Sequence, residues 1–197
     1  MTVIQVIKTN FTPSLTYSGD ERVNWYRLMK SLYSNNDRNE MIVQRAILNL
    51  PKRTIIITRD VDHVNTLAEM LRIRGVSVHR LTGSTRFESF GDVDVILSTH
   101  NAVMCRLLDT THKSIDFLLL SISIKELGII KIENRTIQYI QDNNSLLIDR
   151  CNSFLRSLGN ATVEELTVVK TDNEYRFSEI HNVYPFIHLT SQDRSQN

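Results

Sequence analysis

The sequence has few cysteines, almost no net charge and no long hydrophobic run. Its 197 residues include two cysteines, and 23 basic residues are set against 22 acidic ones, for a net charge of +1. Cys105 and Cys151 have no metal-ligand spacing, which argues against a disulfide scaffold or zinc site and favours a reducing compartment. With so little net charge, no global field attracts DNA, RNA or an anionic membrane, so nucleic-acid binding requires a local basic patch.

Signals for secretion and for membrane insertion are also lacking. No apolar run approaches the roughly 20 residues that a membrane-spanning helix needs. The longest, residues 115–124, is interrupted by Asp116, Ser121 and Ser123 and is typical of a buried strand. The opening residues, MTVIQVIKTN, lack the basic segment and apolar core of a signal peptide. We therefore expect an intracellular protein without a membrane partner.

What is present is an alternation of apolar strands and amphipathic helices. Strands are predicted at residues 3–7, 53–58, 76–81, 93–97, 116–120 and 135–140, and helices at 22–33, 37–50, about 60–74 and 143–158, with a short one after Ser98. Asp60 or Asp62 is the expected N-cap of the third helix, and Gly75 its C-terminal cap. Strand, helix, glycine and strand in this order form a βαβ unit, which implies a parallel sheet.

This pattern predicts one three-layer α/β domain over residues 1–160. Its mostly parallel sheet should have five or six strands, with helices on both faces. After Gly159 the pattern changes, and residues 161–197 are expected to form a C-terminal extension. Residues 166–169 and 174–177 could pair there as a hairpin, followed by the polar tail SQDRSQN.

Small polar residues follow the ends of three predicted parallel strands. They are Thr58-Arg59, Thr82-Gly83-Ser84 and Ser98-Thr99-His100. Ligands of open α/β sheets bind at this edge, so hydroxyls and backbone amides there, with Arg59, Arg80 and Arg86, would form a phosphate-binding strip. The alternative is that serine, threonine and glycine simply cap helices and form turns at these positions.

Other candidate groups have simpler explanations. His63, His79, His100 and His112 lack the spacing of a metal site, and no metal is expected. Asp92 and Asp94 flank a strand, where a Mg²⁺ site and plain solvation are both open, with solvation favoured. Trp25, Tyr26 and Tyr33 could stack on bases, yet aromatic residues at helical spacing more often pack in a core.

Several segments resemble the second RecA-like lobe of superfamily 2 helicases. They are KRTIIITRDVDHVNTLAEMLRIRGVSVHRLTGS followed by FGDVDVILSTHNAV, and the tail NRTIQYIQDNNSLLIDRCNSFLRSLG. The upstream NFTP, Trp25 and DRNEMIV are similar to the lead-in of XPB-like and phage or poxvirus-type DNA translocases, in which an Arg-Asn pair opens the helix before the lobe's first strand. The resemblance implies that the polar turns described above contact a nucleic-acid backbone, and that a virus or mobile element encodes the chain, which would then lie in host cytoplasm or a virion.

The sequence departs from this family where ATP is hydrolysed. It contains no Gly-x-x-x-x-Gly-Lys-Ser/Thr and no DExx box, an Asp-Glu pair directly after an apolar strand; both belong to the absent first lobe. The family's Gln-x-x-Gly-Arg-x-x-Arg has no counterpart in SISIKELGIIKIEN, between Leu120 and Arg135. After Ser98-Thr99 the family has a segment that contains glycine and is followed by aspartate and proline. This sequence instead has HNAVMCRLLDTTHKSID, with no glycine and no proline. No catalytic residue, cofactor or independent ATPase activity is therefore expected.

Three functions remain open after these exclusions. The first is a catalytically inactive helicase-lobe homologue that binds DNA or RNA backbone or serves as a scaffold in a nucleic-acid-handling complex. The second is a protein-interaction or self-associating structural module that has kept the fold and lost the ligand. The third, which the missing arginine motif disfavours, is the second lobe of a split ATP-dependent helicase.

Overall fold

Short runs of aliphatic and β-branched residues build a single sheet. The computed structural model describes residues 2–13, 19–83, 92–101, 115–122, 135–158, 161–172 and 174–185, with side chains as far as residue 179. Eight strands lie in the order β3-β4-β2-β5-β6-β1-β7-β8. They are β1 (Val3–Lys8), β2 (Thr54–Thr58), β3 (Val78–Leu81), β4 (Val95–Thr99), β5 (Phe117–Leu120), β6 (Thr136–Gln141), β7 (Thr162–Lys170) and β8 (Tyr175–Pro185).

Neighbouring strands run parallel everywhere except in the β7–β8 pair, which is antiparallel. The prediction of a mostly parallel α/β sheet is confirmed. Its strand number, expected to be five or six, is corrected to eight in the part of the chain that the structure describes, because β7 pairs in parallel with β1 and β8 then pairs with β7. The predicted hairpin is thus longer than expected and continues the main sheet. The domain boundary at residue 160 stays a prediction.

Four helices of the described ranges begin at polar N-cap residues. They are α1 (Glu21–Tyr33), α2 (Asn36–Leu48), α3 (Val61–Ile73) and α4 (Ser145–Ser157). Each N-cap side chain accepts a backbone N–H of its helix's first turn, which satisfies groups that the helix itself cannot bond. The four caps are Asp20, Asn35, Asp60 and Asn144. The short helix predicted after Ser98 is described only at residues 100–101.

Helices cover both faces of the sheet, as the three-layer prediction required. Because side chains alternate along a strand, Ile55 and Ile57 face α4, whereas Ile56 faces α2 and α3. Phe154 of α4 is fully buried, and its ring centroid lies 4.9 Å from that of Tyr139 on β6. Helix α1 packs against α4 through a small third cluster that includes Leu28 and Leu147.

Candidate functional site at the carboxyl edge of the sheet

The three polar turns predicted from the sequence meet at one edge of the sheet. Strand β4 lies between β2 and β3, and all three run parallel. The register pairs Thr58 with Thr99 and Leu81 with Ser98, so the strands end at the same level. The chain that follows each strand therefore begins at the carboxyl edge, where open α/β sheets bind ligands.

Two of the predicted hydroxyl groups are engaged inside the protein. Thr58 and Ser98 are both 0% exposed. Thr58 Oγ1 donates to the carbonyl of Asp60 at 3.2 Å, and Ser98 Oγ donates to that of Leu81 at 3.1 Å. These hydroxyls therefore stabilise the turns, as the capping alternative anticipated, and are not accessible to a phosphate in this structure.

The remaining predicted residues differ in exposure. Arg59 and Gly83 are exposed, while Thr82 and Thr99 are each 8% exposed. Arg80 is exposed as well, and its Nη1 donates to Asn65 Oδ1 of α3 at 2.7 Å. The predicted residues Ser84 and Arg86 lie outside the described residues.

His100 is half-buried at the start of the chain that follows β4. Burial lowers the pKa of His100, and a hydrogen bond with Asn101 partly opposes that effect. The imidazole is consequently neutral at neutral pH and adds no positive charge there. Among the described residues, Arg59 is then the exposed cation that directly follows one of the three strand ends.

A buried ion pair lies at the same edge, further along the sheet. Arg38, in the first turn of α2, is 1% exposed, and its Nε donates to both carboxylate oxygens of Asp142 at 3.0 Å. Its Nη2 donates to the carbonyl of Ser121 at 2.7 Å, and Thr9 Oγ1 donates to Asp142 at 2.9 Å. These four residues, which we call the Arg38 cluster, join α2 to the ends of β1, β5 and β6.

The Arg38 cluster was not among the predicted site residues. The first signal in the sequence is the Arg-Asn pair of DRNEMIV, to which the family resemblance assigns no role. A charged residue beside the buried stripe that includes Met41 and Ile42 is a second signal, because a buried charge requires a partner. That partner, Asp142, is distant in sequence and cannot be read from local spacing.

His63 is held by a second set of hydrogen bonds beside this cluster. Asn39 Nδ2 donates to the carbonyl of Tyr33 at 2.8 Å, which directs Asn39 Oδ1 towards His63 Nε2, 3.0 Å away. Nε2 must therefore carry the ring proton and donate it. Burial lowers the pKa of His63 to about 3, and the charge of Arg38 contributes. The ring of His63 is neutral and stacks on that of Tyr33, with centroids 4.6 Å apart.

Three buried polar atoms near these residues have no hydrogen-bond partner within the described part of the chain. They are Tyr33 Oη, Arg38 Nη1 and His63 Nδ1. Burial also raises the pKa of the Tyr33 phenol, while the charges of Arg38 and Arg59 oppose that shift. The phenol is consequently neutral at every physiological pH.

A cavity of about 260 Å³ opens between α1 and the turn that joins β2 to α3. We call it the α1–α3 cavity. Helix α1 contributes aromatic, apolar and cationic side chains to it, and the β2–α3 turn contributes charged ones. The lining residues are Tyr26, Met29, Lys30, Tyr33, Ser34, Arg59, Asp60, Asp62, His63 and Thr66.

The aromatic residues proposed for base stacking are in different environments. The guanidinium of Arg150 covers the ring of Trp25, with its Cζ 4.3 Å from the ring centroid. Tyr33 is stacked on His63. Tyr26 is 57% exposed and lines the α1–α3 cavity. Of the three rings, Tyr26 alone presents a largely exposed surface.

The described residues contain neither a metal-binding cluster nor a membrane-spanning helix. Among the described residues, no group of three or more histidine, cysteine or carboxylate side chains is arranged to hold a metal ion. No helix in the described ranges is long and apolar enough to span a bilayer. The two aspartates of the Asp-Val-Asp pattern lie just before β4, and Asp94 accepts from the hydroxyl of Ser77 at 2.6 Å.

Comparison with solved structures identifies the same architecture in helicase domains. S. cerevisiae Dbp5 bound to RNA and ADP BeF3 has a TM-score of 0.55 and 8% sequence identity, over 83% of this chain and 41% of that chain. The chain therefore spans less than half of that protein's length. At this identity the similarity shows the fold, which is that of a RecA-like helicase domain.

Weaker similarities involve other helicases and ATPases. The C-terminal part of the Fun30 ATPase domain matches with a TM-score of 0.45 and 11% identity, over 65% of this chain and 50% of that one. E. coli DEAD-box protein SrmB bound to regulator of ribonuclease activity A (RraA) matches with a TM-score of 0.45 and 14% identity, over 74% and 81%. No protein-family model matches the sequence. No curated protein matches it either.

Proposed function

We propose that this chain is a RecA-like domain that binds the sugar–phosphate backbone of nucleic acid at the carboxyl edge of β2, β4 and β3. The observation that carries this proposal is the common level at which these adjacent strands end, with Arg59 exposed directly after β2. Backbone amides and a guanidinium at such an edge are the groups that contact phosphates. The RNA present in the Dbp5 structure supports this class of ligand.

The charge of the chain sets the expected strength of binding. A net charge of +1 provides no long-range attraction, so the affinity depends on a few local contacts. Each phosphate neutralised on a single strand contributes about −0.7 to the slope of log affinity against log salt concentration. We therefore expect weak binding that is detectable at low salt and decreases as salt rises, with a slope set by the few phosphates contacted.

Fluorescence anisotropy with a labelled single-stranded oligonucleotide tests this proposal. Arg59→Ala should weaken binding and reduce the salt slope by about 0.7, because one phosphate contact is lost. Arg72→Ala is the matched control, since Arg72 is exposed on the last turn of α3, at the opposite edge of the sheet. Absence of binding at low salt, or equal effects of the two substitutions, would contradict a binding strip at the carboxyl edge.

We further propose that the chain does not hydrolyse ATP by itself. The sequence lacks the first lobe's phosphate loop and the arginine motif of the second lobe, and an arginine finger contributes about 10³ to 10⁵ in rate. The window between Leu120 and Arg135 falls mainly on residues 123–134, which lie outside the described residues. ATP turnover by the purified chain with single-stranded DNA present would overturn this proposal. Turnover only after addition of a separate first lobe would favour a split helicase.

We also propose that the chain is a degenerate XPB-like lobe of viral or mobile-element origin. In this proposal it acts as a subunit or scaffold in a nucleic-acid-handling complex. The Arg-Asn pair at the start of α2 supports this lineage, since it matches the lead-in segment quoted above. If the chain is a subunit, co-purification from its natural source should recover nucleic-acid-processing proteins. Recovery of the isolated chain alone would argue against a scaffold.

A protein-interaction module is the second candidate, and one observation favours it. Strand β8 is the last strand of the sheet and, among the described residues, pairs only with β7. A long edge strand presents backbone N–H and C=O groups to which another chain can add a strand. Light scattering after size exclusion would show a stable oligomer in the absence of nucleic acid if this candidate is correct.

A further inference from the structure

The charges that line the α1–α3 cavity balance. Lys30 and Arg59 contribute two positive charges, and Asp60 and Asp62 contribute two negative ones. His63, which also lines the cavity, is neutral for the reason given above. A free phosphate inside this cavity would meet carboxylates as well as cations, so the lining does not favour a small anion. It favours a neutral group that offers both hydrogen-bond donors and acceptors.

The cavity wall also supplies a surface for a flat ring. Tyr26 is 57% exposed, and the buried side chain of Met29 belongs to the same lining. The hydroxyl-bearing residues Ser34 and Thr66 contribute to the same lining. An exposed aromatic face with polar groups around it is the arrangement on which proteins stack bases of single strands, since every base has a π face.

The size of the cavity limits what it can hold. Pockets for drug-sized ligands measure about 300–1,000 Å³. At about 260 Å³, the α1–α3 cavity lies below that range and suits one ring system rather than a whole nucleotide. Arg59 belongs both to the cavity lining and to the carboxyl-edge turn, so a base in the cavity can remain attached to a phosphate bound at that turn.

We propose that the α1–α3 cavity receives one unstacked base of a single-stranded nucleic acid whose backbone passes over Arg59. The base stacks on Tyr26, and its N–H groups donate to the carboxylates of Asp60 or Asp62. This inference rests on the proposed function, because it assigns a base to the strand that the carboxyl edge binds. It adds that part of the affinity comes from a base and not from phosphates alone.

The test compares two labelled oligonucleotides with equal numbers of phosphates. One is a mixed-sequence single strand, and the other carries an abasic tetrahydrofuran residue at every position. We expect the intact strand to bind about tenfold more tightly, the typical effect of stacking one base on an aromatic side chain. Equal affinity for the two would overturn the base site and leave the proposed backbone binding intact. Binding of neither would overturn the proposed function itself.

Variants of α1 identify the ring that is responsible. Tyr26→Ala should remove the tenfold preference for the intact strand without weakening binding of the abasic one, whereas Tyr26→Phe should retain it. Val23→Ala is the matched control, since Val23 is 37% exposed on the same helix and does not line the cavity. Circular dichroism of each variant verifies that the overall helix content is retained. A preference that persists in Tyr26→Ala would assign the base contact elsewhere and refute this site.

Discussion

Arg38 and Asp142 form a buried ion pair across 104 residues of sequence, with Arg38 Nη2 2.9 Å from Asp142 Oδ2. Their side chains are 1% and 3% exposed. Neither charge has access to water, so each depends on the other and on the neighbouring hydrogen bonds for compensation. The pair therefore attaches the start of α2 to the end of β6 and stabilises the carboxyl edge of the sheet.

Removal of one member of this pair should destabilise the protein strongly. Arg38→Met leaves the carboxylate of Asp142 buried without its counter-charge, which typically costs about 3–5 kcal/mol in the free energy of unfolding. The measurement is urea denaturation followed by circular dichroism, with the midpoint and slope compared with those of the unmodified chain. A loss below about 1 kcal/mol would show that water screens the pair, as it does a surface ion pair.

Two further variants distinguish the loss of this buried ion pair from the general effects of mutation on stability. The double variant Arg38→Met with Asp142→Leu should recover much of the loss, because it leaves no uncompensated charge. Arg74→Met removes the partner of Glu40 in a pair whose side chains are 36% and 42% exposed. Because water screens that pair, its loss should cost less than about 1 kcal/mol.

The elements with strong local signals could be predicted from the sequence. Helix α3 begins after its cap Asp60 and ends before Gly75, since an N-cap oxygen and a glycine with positive φ each act within one helical turn. Strand number could not be predicted, because it depends on pairing between distant segments. Val3 of β1 pairs with Thr162 of β7, and nothing local in either segment specifies the other.

The candidate site could likewise be predicted from the sequence only in part. The positions of the three polar turns followed from the predicted strand ends, because parallel strands share an edge. The hydrogen bond from Ser98 Oγ to the carbonyl of Leu81 depends on the register of β3 on β4, so it could not be predicted from the sequence. Likewise, the α1–α3 cavity depends on how α1 packs beside the β2–α3 turn.

Gly75 should resist replacement by a residue with a Cβ atom. Its φ is 77°, a left-handed conformation that costs other L-residues about 1–2 kcal/mol. A Cβ atom added there would meet nothing within 4 Å, so the cost arises from the backbone alone. We expect Gly75→Ala to lower the unfolding free energy by about 1 kcal/mol and Gly75→Asn to lower it less.

Gly19→Ala provides the control for this prediction. Gly19 also has nothing within 4 Å of an added Cβ atom, and its φ lies outside the left-handed region. The substitution should therefore be neutral or slightly stabilising, since alanine restricts the unfolded chain. Equal urea midpoints for Gly75→Ala and Gly19→Ala would refute a role for the positive φ.

His63 should make the stability of the fold depend on pH in a defined direction. Its pKa is lowered to about 3 in the folded protein by burial and by the charge of Arg38, against 6.5 for the free group. Below pH 6.5 the unfolded chain therefore binds a proton that the folded chain does not, and the stabilising contribution is lost as the pH falls towards 3. Relative to a variant without this histidine, the chain should lose about 1.4 kcal/mol between about pH 7.5 and about pH 5.5.

His63→Gln supplies that variant, because glutamine keeps a side-chain amide near Asn39 and does not titrate. Its overall stability can differ from that of the unmodified chain, and only the dependence on pH is compared. Nitrogen NMR of the imidazole should independently show the neutral ring with its proton on Nε2 at about pH 5, since the folded pKa lies well below that. Parallel pH–stability curves for the two proteins, or a protonated ring at that pH, would mean that His63 is solvated and that its contact with Asn39 does not hold it neutral.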